Sequence, residues 1–163
     1  MHARPPLIRL LTGLLSLWLS ACFAGPRLAP DNNDRTAKAF TPAAGRGAIY
    51  VYRHSHGRGY NVPIPLAVDG RDVGGVANKT YYVVEVDPGS HDVWLGWSPQ
   101  VVRNAKLSPI AVNVIAGQAV FVRAGTLSNR SHKTVDASTG KKDLLSCCKL
   151  AAPPVRAPSS LLK

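Results

Sequence analysis

Between residues 47 and 126 the chain alternates short runs of β-branched and aromatic residues with Gly, Pro and Asp punctuation. That grammar predicts strands separated by tight turns. Ile49-Tyr50-Val51-Tyr52-Arg53 is the first run and Leu66-Ala67-Val68 the second. Asp69-Gly70 comes next, a pair that tolerates the two positive φ angles of a type I′ turn, and Val73 resumes the strand pattern. From Thr80 to Val86, the side chains of Tyr82, Val84 and Val86 fall on one face and those of Tyr81, Val83 and Glu85 on the other, so one face is apolar and the other mixed. Asp87-Pro88-Gly89-Ser90 places Pro-Gly at the centre of a turn, ahead of His91-Asp92-Val93-Trp94-Leu95-Gly96-Trp97. Ile110 to Val114, a turn at Ala116-Gly117-Gln118, and Ala119 to Arg123 complete the series. Some six to seven short strands with turns every ~8–12 residues predict an all-β chain, a single small antiparallel β-sandwich.

The flanks read differently. Residues 22–46 are rich in Pro, Ala, Asn, Asp and Gly without strand or helix periodicity, and are expected to form a flexible tether. Residues 127–163 are expected to be an irregular tail. Its one apolar stretch, Leu144 to Leu150, reads as a two-turn helix stopped by Pro153-Pro154 or as a last edge segment.

Ahead of the tether, residues 1–21 have the layout of a signal peptide. Arg4 and Arg9 make a positive n-region, Leu10 to Leu19 an apolar core shorter than the ~20 residues that span a bilayer, and Ser20-Ala21 a small-residue cleavage site. A cysteine stands directly after it: Leu19-Ser20-Ala21-Cys22 resembles the bacterial lipobox. The resemblance implies that Cys22 becomes the lipidated first residue of the mature chain, carrying acyl chains such as palmitate. Each buried acyl CH₂ contributes about 0.8 kcal/mol, so several chains hold a protein to a membrane almost permanently. By the same resemblance, Phe23 in place of an Asp after the modified cysteine implies the outer membrane of a Gram-negative envelope, facing the periplasm.

Removal of the first 21 of 163 residues leaves 18 Lys and Arg against nine Asp and Glu, a formal charge of +9. Outside the cytoplasm the polyanions within reach are anionic lipids, lipopolysaccharide phosphates and acidic cell-wall polymers rather than nucleic acid. Arg46, Arg58, Arg71, Arg103 and Arg123 are scattered along the chain, a spread that also serves plain solubility.

Two further likenesses attach to particular residues. Ala48-Ile49-Tyr50-Val51-Tyr52-Arg53, Val68-Asp69-Gly70, Thr80-Tyr81-Tyr82, Glu85-Val86-Asp87-Pro88-Gly89-Ser90-His91 and Ala116-Gly117-Gln118 before Val120-Phe121-Val122 together resemble a family of short bacterial lipoproteins known as a domain of unknown function. The strand-turn order is also similar to the small β-sandwich modules named for a Pro-Glu-Gly-Ala motif, a tetrapeptide this chain lacks. Neither likeness implies catalytic residues, and a fold alone implies no function.

Candidate chemistry is sparse. His54 and His56, two apart on an extended chain, can share a face as weak metal candidates, although Gly57-Arg58-Gly59 comes directly after them; His91 after the Pro-Gly turn reads as a turn hydrogen-bonding residue. Adjacent Cys147 and Cys148 lack the Cys-x-x-Cys spacing of a redox pair; they are expected reduced and partly buried, with an intermolecular link or a vicinal disulfide as the alternatives. Gly-x-Ser-x-Gly is absent, and the single Glu, Glu85, leaves little for paired-carboxylate hydrolysis. Trp94 and Trp97 fall on opposite faces of a strand, so one can be core while the other, with Arg103 and Lys106 nearby in sequence, contacts a sugar ring, a membrane interface or a partner. The resulting expectation is a lipid-anchored, non-enzymatic binding or adaptor protein without cofactor. The alternatives are a self-associating structural lipoprotein and an envelope enzyme with a metal on His54 and His56.

Overall fold

In the computed structural model, residues 26–54, 62–96, 108–125 and 131–152 are described. Nine strands are present among them: β1 (Gly47–Arg53), β2 (Ile64–Val68), β3 (Arg71–Val76), β4 (Thr80–Val86), β5 (Gly89–Leu95), β6 (Ile110–Val114), β7 (Ala119–Arg123), β8 (Lys133–Val135) and β9 (Lys149–Leu150). They form a five-stranded sheet in the order β8-β7-β1-β4-β9 and a four-stranded sheet in the order β3-β2-β5-β6. The two sheets pack as an all-β sandwich, with Ile49, Val51, Leu66, Val68, Tyr82, Val93, Val112 and Val122 among the residues between them.

The seven runs of the sequence pattern correspond to β1 to β7, and their turns obey the expected chemistry. Asp69 and Gly70 both take positive φ, +49° and +73°, which gives a type I′ hairpin the twist that matches its flanking strands. Pairing is mixed, however: β1 runs antiparallel to β4 but parallel to β7, and β4 runs parallel to β9. Parallel neighbours require crossovers, and between β1 and β7 the chain builds β2 and β3 in the other sheet, returns as β4, and leaves again for β5 and β6.

Every residue of β1 is buried, on both faces of the sheet. Ile49 and Val51 face the other sheet, while Tyr50 and Tyr52 face outward, where a second apolar layer with Tyr81, Phe121, Leu144 and Cys148 covers them. Tyr81 and Phe121 belong to the sheet itself, whereas Leu144 and Cys148, with Ala37 and Phe40 packed against the same layer, come from the flanks and correct both expectations about those flanks.

Residues 26–46, expected within a flexible tether, carry a helix, α1 (Asp31–Ala37), and beyond it Phe40, whose ring lies 5.3 Å from that of Tyr50 and 5.7 Å from that of Phe121. A seven-residue helix is marginal alone. Asp31 and Asp34 in its first turn suit the helix dipole, and the Tyr50 hydroxyl donates to the Ala37 carbonyl at 2.7 Å, satisfying an acceptor the helix end leaves open. Leu28 bridges Ala151 in antiparallel fashion, so the N-terminal segment continues the five-stranded sheet beyond β9.

The expected irregular tail holds a longer helix than the one anticipated, and seven residues earlier: α2 (Ala137–Cys147). Asp136 caps it, accepting from the Thr139 N–H at 2.9 Å and from the Ser138 hydroxyl at 2.6 Å. Gly140 lets it settle on the sheet, since a Cβ there would fall 2.3 Å from Phe121 Cγ. Past Cys148 the chain runs through Lys149-Leu150 as β9 instead of continuing the helix to residue 150.

Candidate functional site

Cys22, His56, Trp97, Arg103 and Lys106, together with residues 1–21, lie outside the described residues. His54 is half-buried just past the end of β1, and Trp94 is half-buried on β5 opposite Ala67 of β2. Among the described residues no three His, Cys, Asp or Glu side chains gather to hold a metal ion.

His91 has the turn-bonding place expected of it. Its Nδ1 donates to Asp69 Oδ2 at 2.7 Å and its Nε2 to the Asp87 carbonyl at 2.8 Å, and Asp69 also accepts from the Asp92 N–H at 2.9 Å. Both ring nitrogens face acceptors, so the imidazolium satisfies both. The bond to Asp69 raises the His91 pKa against the opposing effect of burial. Burial would lift the Asp69 carboxyl, yet the Asp92 amide and His91 hold it below the usual range. The arrangement ties the β2-β3 hairpin to the β4-β5 turn, and Arg46 adds an ion pair to Asp87.

Cys147 and Cys148 are joined to each other, which corrects the expectation of reduced thiols. Cys147 is the last residue of α2 and Cys148 takes an extended conformation, φ −124° and ψ 147°, so the chain changes from helix to strand between them. Cys148 is buried, with its Sγ 3.8 Å from the Arg53 carbonyl oxygen.

The densest polar arrangement was not anticipated. Asp34 of α1 is 4% exposed and accepts from the Leu150 N–H at 2.8 Å, the Tyr81 hydroxyl at 3.0 Å and the Lys38 ammonium at 3.0 Å. Lys38 also donates to the Cys148 carbonyl at 2.6 Å, and Lys149 stands 3.7 Å from Asp34 and 3.3 Å from Asp31. Burial opposes ionisation of Asp34, but the Leu150 amide, Lys38 and Tyr81 together hold its carboxyl below the ordinary range. Burial, and then the Asp34 charge, push the Tyr81 phenol far up, so it stays a donor. One carboxylate thus joins α1, β4 and β9. A parallel contact lies at α2, where Tyr52 donates to Asp143 at 2.5 Å and Arg123 approaches the same carboxylate at 3.5 Å. The signals for these helices were short: Asp136-Ala-Ser-Thr is a capping pattern, and Pro30-Asp31 a helix start with an acidic first turn.

Two adjoining hollows of about 300 and 210 Å³ open beside this network, sharing Asn33, Val83 and Leu150 in their walls. One extends over Tyr50 and Glu85, the other over Val73 and Tyr82.

Fold and site define a two-sheet sandwich whose outer face is closed by its own N-terminal and C-terminal flanks, with the buried Asp34 carboxylate holding the N-terminal flank to β4 and β9. The chain matches no family model, no curated protein and no solved structure.

Proposed function

We propose that the protein is a lipid-anchored envelope protein, held through Cys22 at the periplasmic face of a Gram-negative outer membrane and acting there by binding rather than catalysis. The observation that carries this reading is Leu19-Ser20-Ala21-Cys22 at the end of a short apolar run that follows the positive Arg4 and Arg9. The binding half of the reading is supported by where the ionisable groups go. His91 is engaged by Asp69 and Asp87, Asp34 by Lys38 and Tyr81, and Asp143 by Tyr52 and Arg123, each linking two structural elements.

The test is mass spectrometry of the mature protein purified from envelopes of an expressing Gram-negative host. The expected N-terminal fragment begins at an acylated Cys22, and Cys22→Ala should abolish both acylation and membrane retention. A mature chain that keeps residues 1–21, or that begins beyond Cys22 without lipid, overturns the reading. Crosslinking the lipidated protein in native envelopes, with the Cys22→Ala chain as control, then separates a protein partner from direct contact with an envelope polymer.

A further inference from the structure

We infer that the edge of the sandwich formed by Arg27, Leu28, the outer side of α1, Lys79 and Lys149 is a membrane-facing surface, which rests on anionic phospholipid headgroups of the bilayer that holds the chain. The inference rests on the proposed lipidation of Cys22.

Reach decides which part of the domain meets the membrane. Residue 26 is four residues from Cys22, and a fully extended chain covers at most ~3.6 Å per residue, so whatever the conformation between them residue 26 stays within about 14 Å of the anchored Cα. From there the chain is not free to swing. The Ala152 N–H donates to the Arg27 carbonyl at 2.7 Å, the Ala29 N–H donates to the Leu150 carbonyl at 2.8 Å, and Leu28 bridges Ala151 between them. An anchored chain pinned at this edge must present this edge.

The edge has the composition such a position requires. Leu28 is 57% exposed although it sits in a sheet pairing. Lys149 reaches Asp31 at 3.3 Å, its N–H donates to the Lys79 carbonyl at 3.0 Å, and Arg35 lies one helical turn beyond Asp31 on the same side of α1. Arg27, Arg35, Lys79 and Lys149 are all exposed along this edge, and of them Lys149 pairs with the exposed carboxylate of Asp31. Attraction between exposed charges fades beyond about 8 Å at physiological salt, so these cations act on headgroup phosphates only where the edge itself rests on the bilayer. An apolar side chain among them suits the headgroup boundary.

The experiment uses the full lipidated chain in vesicles of phosphatidylethanolamine and phosphatidylglycerol with brominated acyl chains, which quench nearby tryptophan. Leu28→Trp is compared with Ile115→Trp, an equally exposed position at 53%, in the turn that hydrogen-bonds the start of β1 rather than its Lys79 end. The added emission of Leu28→Trp should be quenched at least about twofold more strongly than that of Ile115→Trp, as expected for a side chain at the headgroup boundary. Combining it with Arg27→Gln and Lys149→Gln, or replacing phosphatidylglycerol with a zwitterionic lipid, should remove most of the difference. Equal quenching at both positions in a chain shown to carry acylated Cys22 overturns the inference and leaves the anchor standing. Absence of acylation on Cys22 overturns both.

Discussion

Asp34→Ala tests whether the N-terminal flank is part of the fold. The substitution removes one carboxylate and leaves three donors, the Leu150 amide, the Tyr81 hydroxyl and the Lys38 ammonium, facing a cavity. Hydrogen bonds to a charged group are worth about 1.5–3 kcal/mol each before compensation. Breaking one side of a buried ion pair typically costs about 3–5 kcal/mol, because the remaining charge stays desolvated. The Lys38 side chain is 17% exposed and retains the Cys148 carbonyl as an acceptor, which places the expected loss near the lower end, about 3 kcal/mol. Urea unfolding followed by far-ultraviolet circular dichroism measures it, with the slope held equal between variants. Asp34→Asn keeps acceptor capacity and volume and should lose less than the alanine variant.

The same carboxylate makes a pH statement. Its folded pKa lies below the unfolded value, so its stabilisation is present above the ordinary aspartate range and is lost as pH falls through the folded value. The stability gap between wild type and Asp34→Ala should therefore close on acidification and stay constant around neutrality. A loss below about 1 kcal/mol at neutral pH, or a gap that does not narrow in acid, would refute the claim that Asp34 pins α1 to β4 and β9. Coupling in a double-mutant cycle with Tyr81→Phe checks the geometry independently.

Gly140→Ala drives a Cβ into the Phe121 ring and should destabilise by about 1–3 kcal/mol in the same urea assay, despite alanine's better helix propensity. Phe40→Ala opens space beside Tyr50 and Phe121 and should cost about 2–4 kcal/mol, with hydrogen exchange quickening at α1 before β1. The His91–Asp69 link has its own pH window: the raised His91 pKa means stabilisation is complete below 6.5 and lost as pH rises through the folded value. The lowered Asp69 pKa means it is lost again in acid below 3.8, so thermal melts of wild type and His91→Gln should differ most between those limits. Protein from an oxidising compartment should run as a monomer on a non-reducing gel and weigh two hydrogens less than after reduction, because Cys147 and Cys148 close on each other.

The strands were legible because their signal is local. β1, β2 and β4 to β7 each carry a period-two or doubly buried apolar run bounded by turn residues, and Asp69-Gly70 names its own turn type, which places β3 after it. β8 and β9 were not, since three and two residues are too few to show a period, and β9 is set by the partner it finds on β4. The flanks failed for a related reason. α1 has only seven residues, polar except for its last, and nothing in Asp31 to Ala37 announces that Asp34 will be buried. Its partners Tyr81 and Leu150 lie 47 and 116 residues away, and a carboxylate buried by remote hydrogen bonds looks in sequence like any solvated one. The mixed outer face of β4 was a usable clue: Tyr81 and Val83 facing away from the main core imply something to cover them.

What covers them bears on how the proposed anchor would hold the domain. A flexible tether would let the domain sample every orientation over the bilayer, so that any face could meet a partner. Here the Leu28–Ala151 bridge, the hydrogen bonds of Arg27 and Ala29, and the Asp34 network fix the chain at residues 27 to 34. If Cys22 is lipidated as proposed, a pull on the anchor is passed to that sheet edge. The two hollows at Asn33, Val83 and Leu150 lie beside that edge, so weakening Asp34 should alter the proposed orientation on the membrane and the shape of those hollows together. Brominated-lipid quenching of Leu28→Trp, repeated in the Asp34→Ala background, reads that coupling: quenching should become weaker and less dependent on position if the edge is released, and stay unchanged if α1 plays no part in holding it.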